Sequence, residues 1–233
     1  HALLAAMMHP RGGRLGPNLV TLPASMAGTI ALTFDDGPDP EVTPRVLDLL
    51  ERHQAKASFF VIGRKAARHG PLLREMLRRG HTVENHSHHH RWSFACRGPW
   101  ALRQDVSMAQ RAIAEATGVA PRFFRAPMGL RNPLLDPVLA MEGLQLVAWT
   151  RRGYDGRPGR AERVLERLTR GLAGRDILLL HDTAPRGAPR DRPATVLEVL
   201  PRLLDRCAAA GFSLGSLAGL PSRDGADGEG ARS

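Results

Sequence analysis

The chain has 233 residues, 42% hydrophobic and 24% charged, enough material for one sizeable domain with a full core. Its net charge is +10, and every basic side chain except Lys56 and Lys65 is arginine; this could draw anionic glycans, lipid head groups or nucleic acid, although an arginine bias on exposed helix faces is the simpler reading. Aromatic residues make up 5% and do not alternate with basic runs, which argues against single-strand nucleic-acid binding, and two cysteines without CxxC spacing argue against a disulfide framework or cysteine-held zinc.

The first eight residues, HALLAAMM, are apolar and precede a basic turn, HPRGGR. Eight residues cannot span a bilayer, which needs roughly 20. Residues 1–26 are therefore expected to be an N-terminal segment, either the remaining end of a membrane anchor or a helix packed on the domain. From Thr29 the pattern alternates. TIALTF (29–34) reads as a strand and residues 41–53 as a helix with apolar spacing at Val46, Leu49 and Leu50. ASFFVIG (57–63) is a strand, 71–80 a helix closed by Gly80, and HTVEN (81–85) a short strand. A long helix over 98–118 ends in Gly118. Residues 122–127 form a strand and 133–143 a helix; LQLVAWT (144–150), RDILLLHD (175–182) and FSLGSL (212–217) are strands, with helices over 161–172 and 194–211 between them. Residues 221–233, rich in Gly, Asp and Ser, are expected to be a disordered tail. Cys96 and Cys207 are expected to be separate thiols, buried or half-buried.

Seven strands, each but the last followed by a helix or helix-sized segment, imply an α/β fold with a parallel sheet and right-handed crossovers, in one domain over 27–220. A closed or nearly closed barrel and an open doubly wound sheet both fit. Either places function at the C-terminal ends of the strands. The polar residues there are Asp35, Asp36, the histidines of VENHSHHHRW (83–92), Arg125, His181 and Asp182.

Consecutive aspartates on a strand point to opposite sides. In a turn, which Gly37 and Pro38 force, Asp35 and Asp36 can reach one site; they can equally serve as turn formers before a helix. His86 and His90 share a face if a helical turn starts there, and two imidazoles with one carboxylate make an open zinc-type site. His88 and His89 would then point away and, with His81, sit behind the site or in solvent. His181 ends an apolar strand, with a pKa range suited to a general acid. Arg125 ends another strand; its plainer role is a salt bridge.

In order along the chain, TFDDGP, HSHHH read as H-S-x-x-H, RAPMG read as R-x-P-x-G and LLH read as L-x-H resemble the motifs of polysaccharide deacetylases, the NodB-homology domain enzymes of carbohydrate esterase family 4. The resemblance covers roughly residues 29–217. It implies a distorted (β/α) barrel and metal-dependent removal of N-acetyl or similar acyl groups from an amino sugar. Asp36, His86 and His90 would hold one divalent ion, zinc first, with cobalt or nickel as alternatives. Asp35 would be the general base, oriented by Arg125, and His181 the general acid. Leu179 would line the acetyl pocket, with Pro127 and Trp149 also at the substrate. The setting implied is the cell envelope or periplasm, with the cytoplasm as the alternative; the apolar N-terminus would permit membrane association, and a monomer without a nucleic-acid partner is expected.

Two departures stand out. A family motif resembling W-x-x-D-x-x-D-W appears here as WTRRGYDG (149–156). Asp155 matches the second Asp, the expected partner of His181; Arg152 replaces the first, and Gly156 the final Trp. Met128 likewise stands where a ring is common. Few rings are left to stack on a long glycan, which points to a short or lipid-linked amino sugar. An inactive glycan-binding domain on the same fold is the alternative, disfavoured because base, acid and three ligands all survive. An aspartyl phosphatase needs Asp-x-Asp and a lysine at the rim, and neither Lys56 nor Lys65 ends a strand there.

Overall fold

The computed structural model describes residues 7, 9–156, 161–184, 194–221 and 223. Most of the N-terminal octapeptide and nearly all of the tail expected to be disordered lie outside these. Eight strands run parallel throughout: β1 (Thr29–Asp35), β2 (Ser58–Val61), β3 (Thr82–Asn85), β4 (Phe123–Phe124), β5 (Gln145–Leu146), β6 (Arg151–Arg152), β7 (Ile177–His181) and β8 (Ser213–Gly215). Their order is β5-β4-β3-β2-β1-β7-β6, with β8 beside the start of β1.

Residues 144–150, expected as one strand, do not form one. Their first half pairs with β4 as β5, and the chain next joins β7, at the other edge of the sheet, as β6. Only residues 147–150 separate the two, so the edges must lie close, and the sheet curls into an incompletely closed barrel. The gap is bridged by the N-terminal segment. Leu19 N–H donates to Leu146 O at 2.9 Å, Ala148 N–H to Leu19 O at 2.8 Å, and Leu22 N–H to Arg175 O at 2.9 Å.

Strand alternation explains what fills this barrel. Ile30, Leu32, Phe34, Leu178 and Leu180 face outward and pack under the amphipathic helices α1 (Thr43–Arg52), α6 (Ala161–Thr169) and α7 (Thr195–Ala209). Ala31, Phe60, Phe123, Val147 and Ile177 face inward around Leu22. The same inward columns end in Thr33 and Asp35 on β1, Leu179 and His181 on β7, and Arg125 just after β4. The barrel is apolar at its floor and charged at its C-terminal mouth, with all of these side chains buried. Leu22→Ala, which empties the floor where the edges meet, is expected to cost about 2–5 kcal/mol in urea unfolding.

The remaining helices are α2 (Gly63–Ala66), α3 (Gly70–Arg78), α4 (Pro99–Thr117) and α5 (Leu135–Met141). Helix α1 is started by Asp39, whose Oδ1 accepts Glu41 and Val42 N–H at 2.9 and 3.1 Å, while Thr43 Oγ1 accepts Asp39 N–H at 2.8 Å. Helix α4 stops at Gly118, whose φ of 77° is the left-handed conformation that glycine adopts without strain. The one-turn α2 has no apolar period, so nothing in the sequence pattern announced it. Cys207 is buried but Cys96 is exposed, so the expectation for the thiols holds at one of the two positions. No helix among the described residues is long and apolar enough to cross a membrane.

Candidate metal and catalytic site

The mouth of the barrel opens into a cleft of about 390 Å³. Asp35, the last residue of β1, and His181, the last of β7, are partners in the strand register and stand side by side. The next residue, Asp36, has φ 72°. This turns the second carboxylate back toward the cleft instead of letting it alternate away, and aspartate is among the few residues that tolerate the conformation. Gly37 is needed immediately afterwards: a Cβ there would collide with the buried Asp182 carboxylate, which accepts Thr43 Oγ1–H at 2.6 Å. Burial pushes the Asp182 carboxyl up to about 7, with Asp36 adding to the rise.

His86 and His90 do come together, with ring centroids 4.8 Å apart, but not on a helical turn. Residues 86–90 are a loop with φ 63° at Ser87 and 51° at His90. Ser87 Oγ accepts His90 N–H at 3.0 Å and folds the loop back. The intervening polar side chains make this turn competitive with a helix. Asp105 on α4 anchors it from behind, accepting His88 N–H at 3.1 Å and pairing with His89 Nδ1 at 2.6 Å. His81 is buried at the far end of β3, where its Nδ1 accepts Ala57 N–H.

Asp36 Oδ1 lies 3.5 Å from His86 Nε2 and 3.2 Å from His90 Nε2. One ligand atom from each of the three residues falls within 4.8 Å of the others. Asp36 Oδ1 is buried and accepts no well-aligned hydrogen bond. Burial alone would raise this carboxyl, but His86, His90 and His181 outweigh it and hold it well below the usual carboxylate range. His86 Nδ1–H donates to Arg125 O at 2.8 Å, which leaves the Nε2 lone pair directed at Asp36. A buried anionic oxygen and two imidazole nitrogens match an open divalent site of the zinc, cobalt or nickel type. The residues fit the ion.

Two ion pairs flank this triad. Arg125 Nη1 donates to Asp35 Oδ1 at 2.7 Å and to Thr33 Oγ1 at 2.8 Å; Nη2 and Nε donate to Ala148 O and Val147 O, and the guanidinium lies 4.1 Å over the Phe60 ring. Burial lowers the Arg125 pKa, opposed by Asp35. On the other side, Asp155 Oδ1 pairs with His181 Nδ1 at 2.9 Å, and its Oδ2 accepts His181 N–H at 2.8 Å. Burial would depress the imidazole, but Asp155, then Asp35 and Asp36, raise it to about 9.

Leu179 and Trp149 line the cleft and belong to one apolar cluster with Ala148. Pro127 is buried at the start of a tight turn (Pro127–Gly129), and Met128 and Gly129 reach the cleft instead, since φ 57° at Met128 swings the chain outward. Sequence reasoning missed Lys65: it lies on α2 just past β2, lines the cleft, and donates from Nζ to Asp36 O at 2.6 Å. Its place four residues beyond the end of β2 was the available signal. Trp92, 81% exposed beside the ligand loop, Tyr154 and Arg152 also form walls that spacing did not reveal.

A family model described as polysaccharide deacetylase matches residues 24–147. The chain is 36% identical over 211 residues to a chitooligosaccharide deacetylase of Sinorhizobium fredii, covering 85% of this chain and 95% of that one. It is 34% identical over 181 residues to a peptidoglycan-N-acetylglucosamine deacetylase of Bacillus cereus, covering 75% and 81%. Among solved structures, a family 4 carbohydrate esterase from Streptomyces lividans in complex with acetate superposes with a TM-score of 0.72 at 31% identity, covering 81% of this chain and 92% of that one.

Proposed function

The chain belongs to the polysaccharide deacetylase family, and on that premise we propose that it hydrolyses the N-acetyl group of N-acetylglucosamine-type residues in an envelope or extracellular glycan. The observation that carries this reading is the convergence of an arginine-paired carboxylate, an aspartate-paired histidine and a three-residue metal cradle at one barrel mouth.

Asp36, His86 and His90 would hold a divalent ion, which would supply the Lewis acidity that polarises the amide carbonyl and acidifies water. The chain's own groups do the rest. Arg125 occupies Oδ1 of Asp35, so Oδ2 is left to accept a proton from the attacking water. Asp155 fixes Nδ1–H of His181, so Nε2–H is the proton delivered to the departing amine. Leu179 and Trp149 offer an apolar wall for the acetyl methyl and exclude bulk water from the amide. Without that proton the nitrogen would have to depart as an amine anion, a very poor leaving group, which is why the acid must be charged before the C–N bond breaks.

The test is mass-spectrometric loss of acetyl from N-acetylated chito-oligosaccharides and from peptidoglycan fragments in the presence of zinc. Absence of turnover on both sets would overturn the reading. Asp155→Asn probes the acid separately. Loss of the carboxylate removes the main force raising His181, so the alkaline limb of kcat/KM, where His181 deprotonates, is expected to move down by about 1–3 pH units. An unmoved limb would remove His181 from the acid role.

A further inference from the structure

Resting on the deacetylase reading, we infer that Arg152 makes this cleft a site for acidic glycans: it binds an anionic substituent, carboxylate or phosphate, carried by the amino sugar or its neighbour.

The charge inventory of the mouth leads there. Each acidic group is already engaged, Asp35 by Arg125 and Asp36 by the imidazoles, and Lys65 is spent on the Asp36 carbonyl. Two basic side chains on the lining, Arg64 and Arg152, have no ion-pair partner among the described residues. Arg64 is exposed and solvated. Arg152 is different. It sits on β6 in register with Leu179, two residues before His181, and its guanidinium carbon lies 5.2 Å over the Trp149 ring and 4.9 Å over the Tyr154 ring. Its Nε is buried with no acceptor.

Nε is closed to solvent and therefore to a ligand as well, so the half-exposed side chain can meet one only through its Nη1 and Nη2 end, which makes no hydrogen bond among the described residues. The two rings fix the plane of the guanidinium and lower the entropy lost when it binds. A planar, oriented, partly desolvated guanidinium is a receptor for a two-oxygen anion, which it can meet with two parallel hydrogen bonds. The surroundings reinforce this. Arg167 stacks on Tyr154 from α6, 5.4 Å from the ring, and Arg151, Arg163 and Arg170 line the adjoining hollow around a single Glu166. Arg151 is paired with Asp176 and Arg170 with Glu166, so the charge left over is that of Arg152, Arg163 and Arg167, which a neutral sugar hydroxyl would not compensate. Arg125 shows the contrast: every nitrogen of that buried arginine is engaged within the protein.

Three disaccharide probes decide the matter: N,N′-diacetylchitobiose, its 1-phosphate, and N-acetylglucosaminyl-N-acetylmuramic acid, which carries a carboxylate. Zinc-loaded enzyme is expected to favour at least one acidic probe over the neutral one by about tenfold in kcat/KM, the scale of one charge-assisted pair. Arg152→Gln is expected to bring that ratio close to one. The probe that responds tells phosphate from carboxylate. Ratios near one in the wild type, or a ratio that survives in Arg152→Gln, would overturn the inference. Calorimetric binding of the deacetylated products runs in parallel. If no probe is turned over but acidic products bind more tightly through Arg152, the deacetylase reading falls and the acidic subsite stands. If turnover is brisk but blind to charge, the subsite alone falls.

Discussion

Asp35→Asn is expected to lower kcat on chito-oligosaccharides by about 10²–10⁴-fold, the usual contribution of a positioned general base, while zinc content stays near one per chain. The amide is nearly isosteric with the carboxylate, and its oxygen can still accept the Arg125 Nη1–H now held at 2.7 Å. What disappears is the basicity of the second oxygen. The substitution also leaves Arg125 buried without a counter-charge, and losing one partner of a buried pair costs about 3–5 kcal/mol. Turnover must therefore be referred to folded protein, measured by far-ultraviolet circular dichroism at the assay temperature. Retention of kcat within about tenfold would remove Asp35 from the base role. Loss of zinc together with turnover would mean that Asp35 and Asp36 have exchanged tasks.

That such an exchange needs testing reflects what sequence pattern carries and what it does not. Alternating strands and helices announced the parallel sheet, and the rule that chemistry gathers at strand C-termini selected Asp35, Asp36, Arg125 and His181 before any geometry was known. Local pattern did not show that residues 144–150 change partners midway. That outcome depends on sheet curvature, a property of the whole fold, and on residues 19–22 filling the seam. Nor did it give the path of the ligand loop. The i, i+4 spacing of His86 and His90 is equally compatible with a helical turn and with the folded loop that forms, and tertiary anchors such as Asp105, with the local bonds of Ser87 and Asn85, favour the loop. Lys65 was passed over because α2 is one turn long and its side chain reaches the site sideways from an element that leaves no periodic trace. Arg152 was legible as a departure from a motif, but its lack of an acceptor became visible only once Trp149 and Tyr154 were placed around it.

Chelation is expected to abolish deacetylation entirely, and added zinc to restore it, because Asp35 and His181 alone cannot supply a nucleophile strong enough to attack an amide at neutral pH. His86→Ala carries the same prediction to a single residue. Removing even an outer partner of a metal ligand commonly weakens metal binding by about 10–100-fold, so deleting a ligand outright should exceed that range. It should take turnover with it, whereas Asp35→Asn keeps the ion. The sign of the pH dependence follows from the donors. His86 and His90 bind through neutral imidazole nitrogens, so protons compete with the ion and affinity must fall as pH falls. Asp36 adds little to this dependence, since its carboxyl is held well below the usual range and stays ionised throughout. Equilibrium dialysis with zinc over the acidic range, on wild type and His86→Ala, reads both effects without reference to catalysis. Activity that survives exhaustive chelation, or zinc binding that His86→Ala leaves intact, would separate the Asp36, His86, His90 triad from the chemistry.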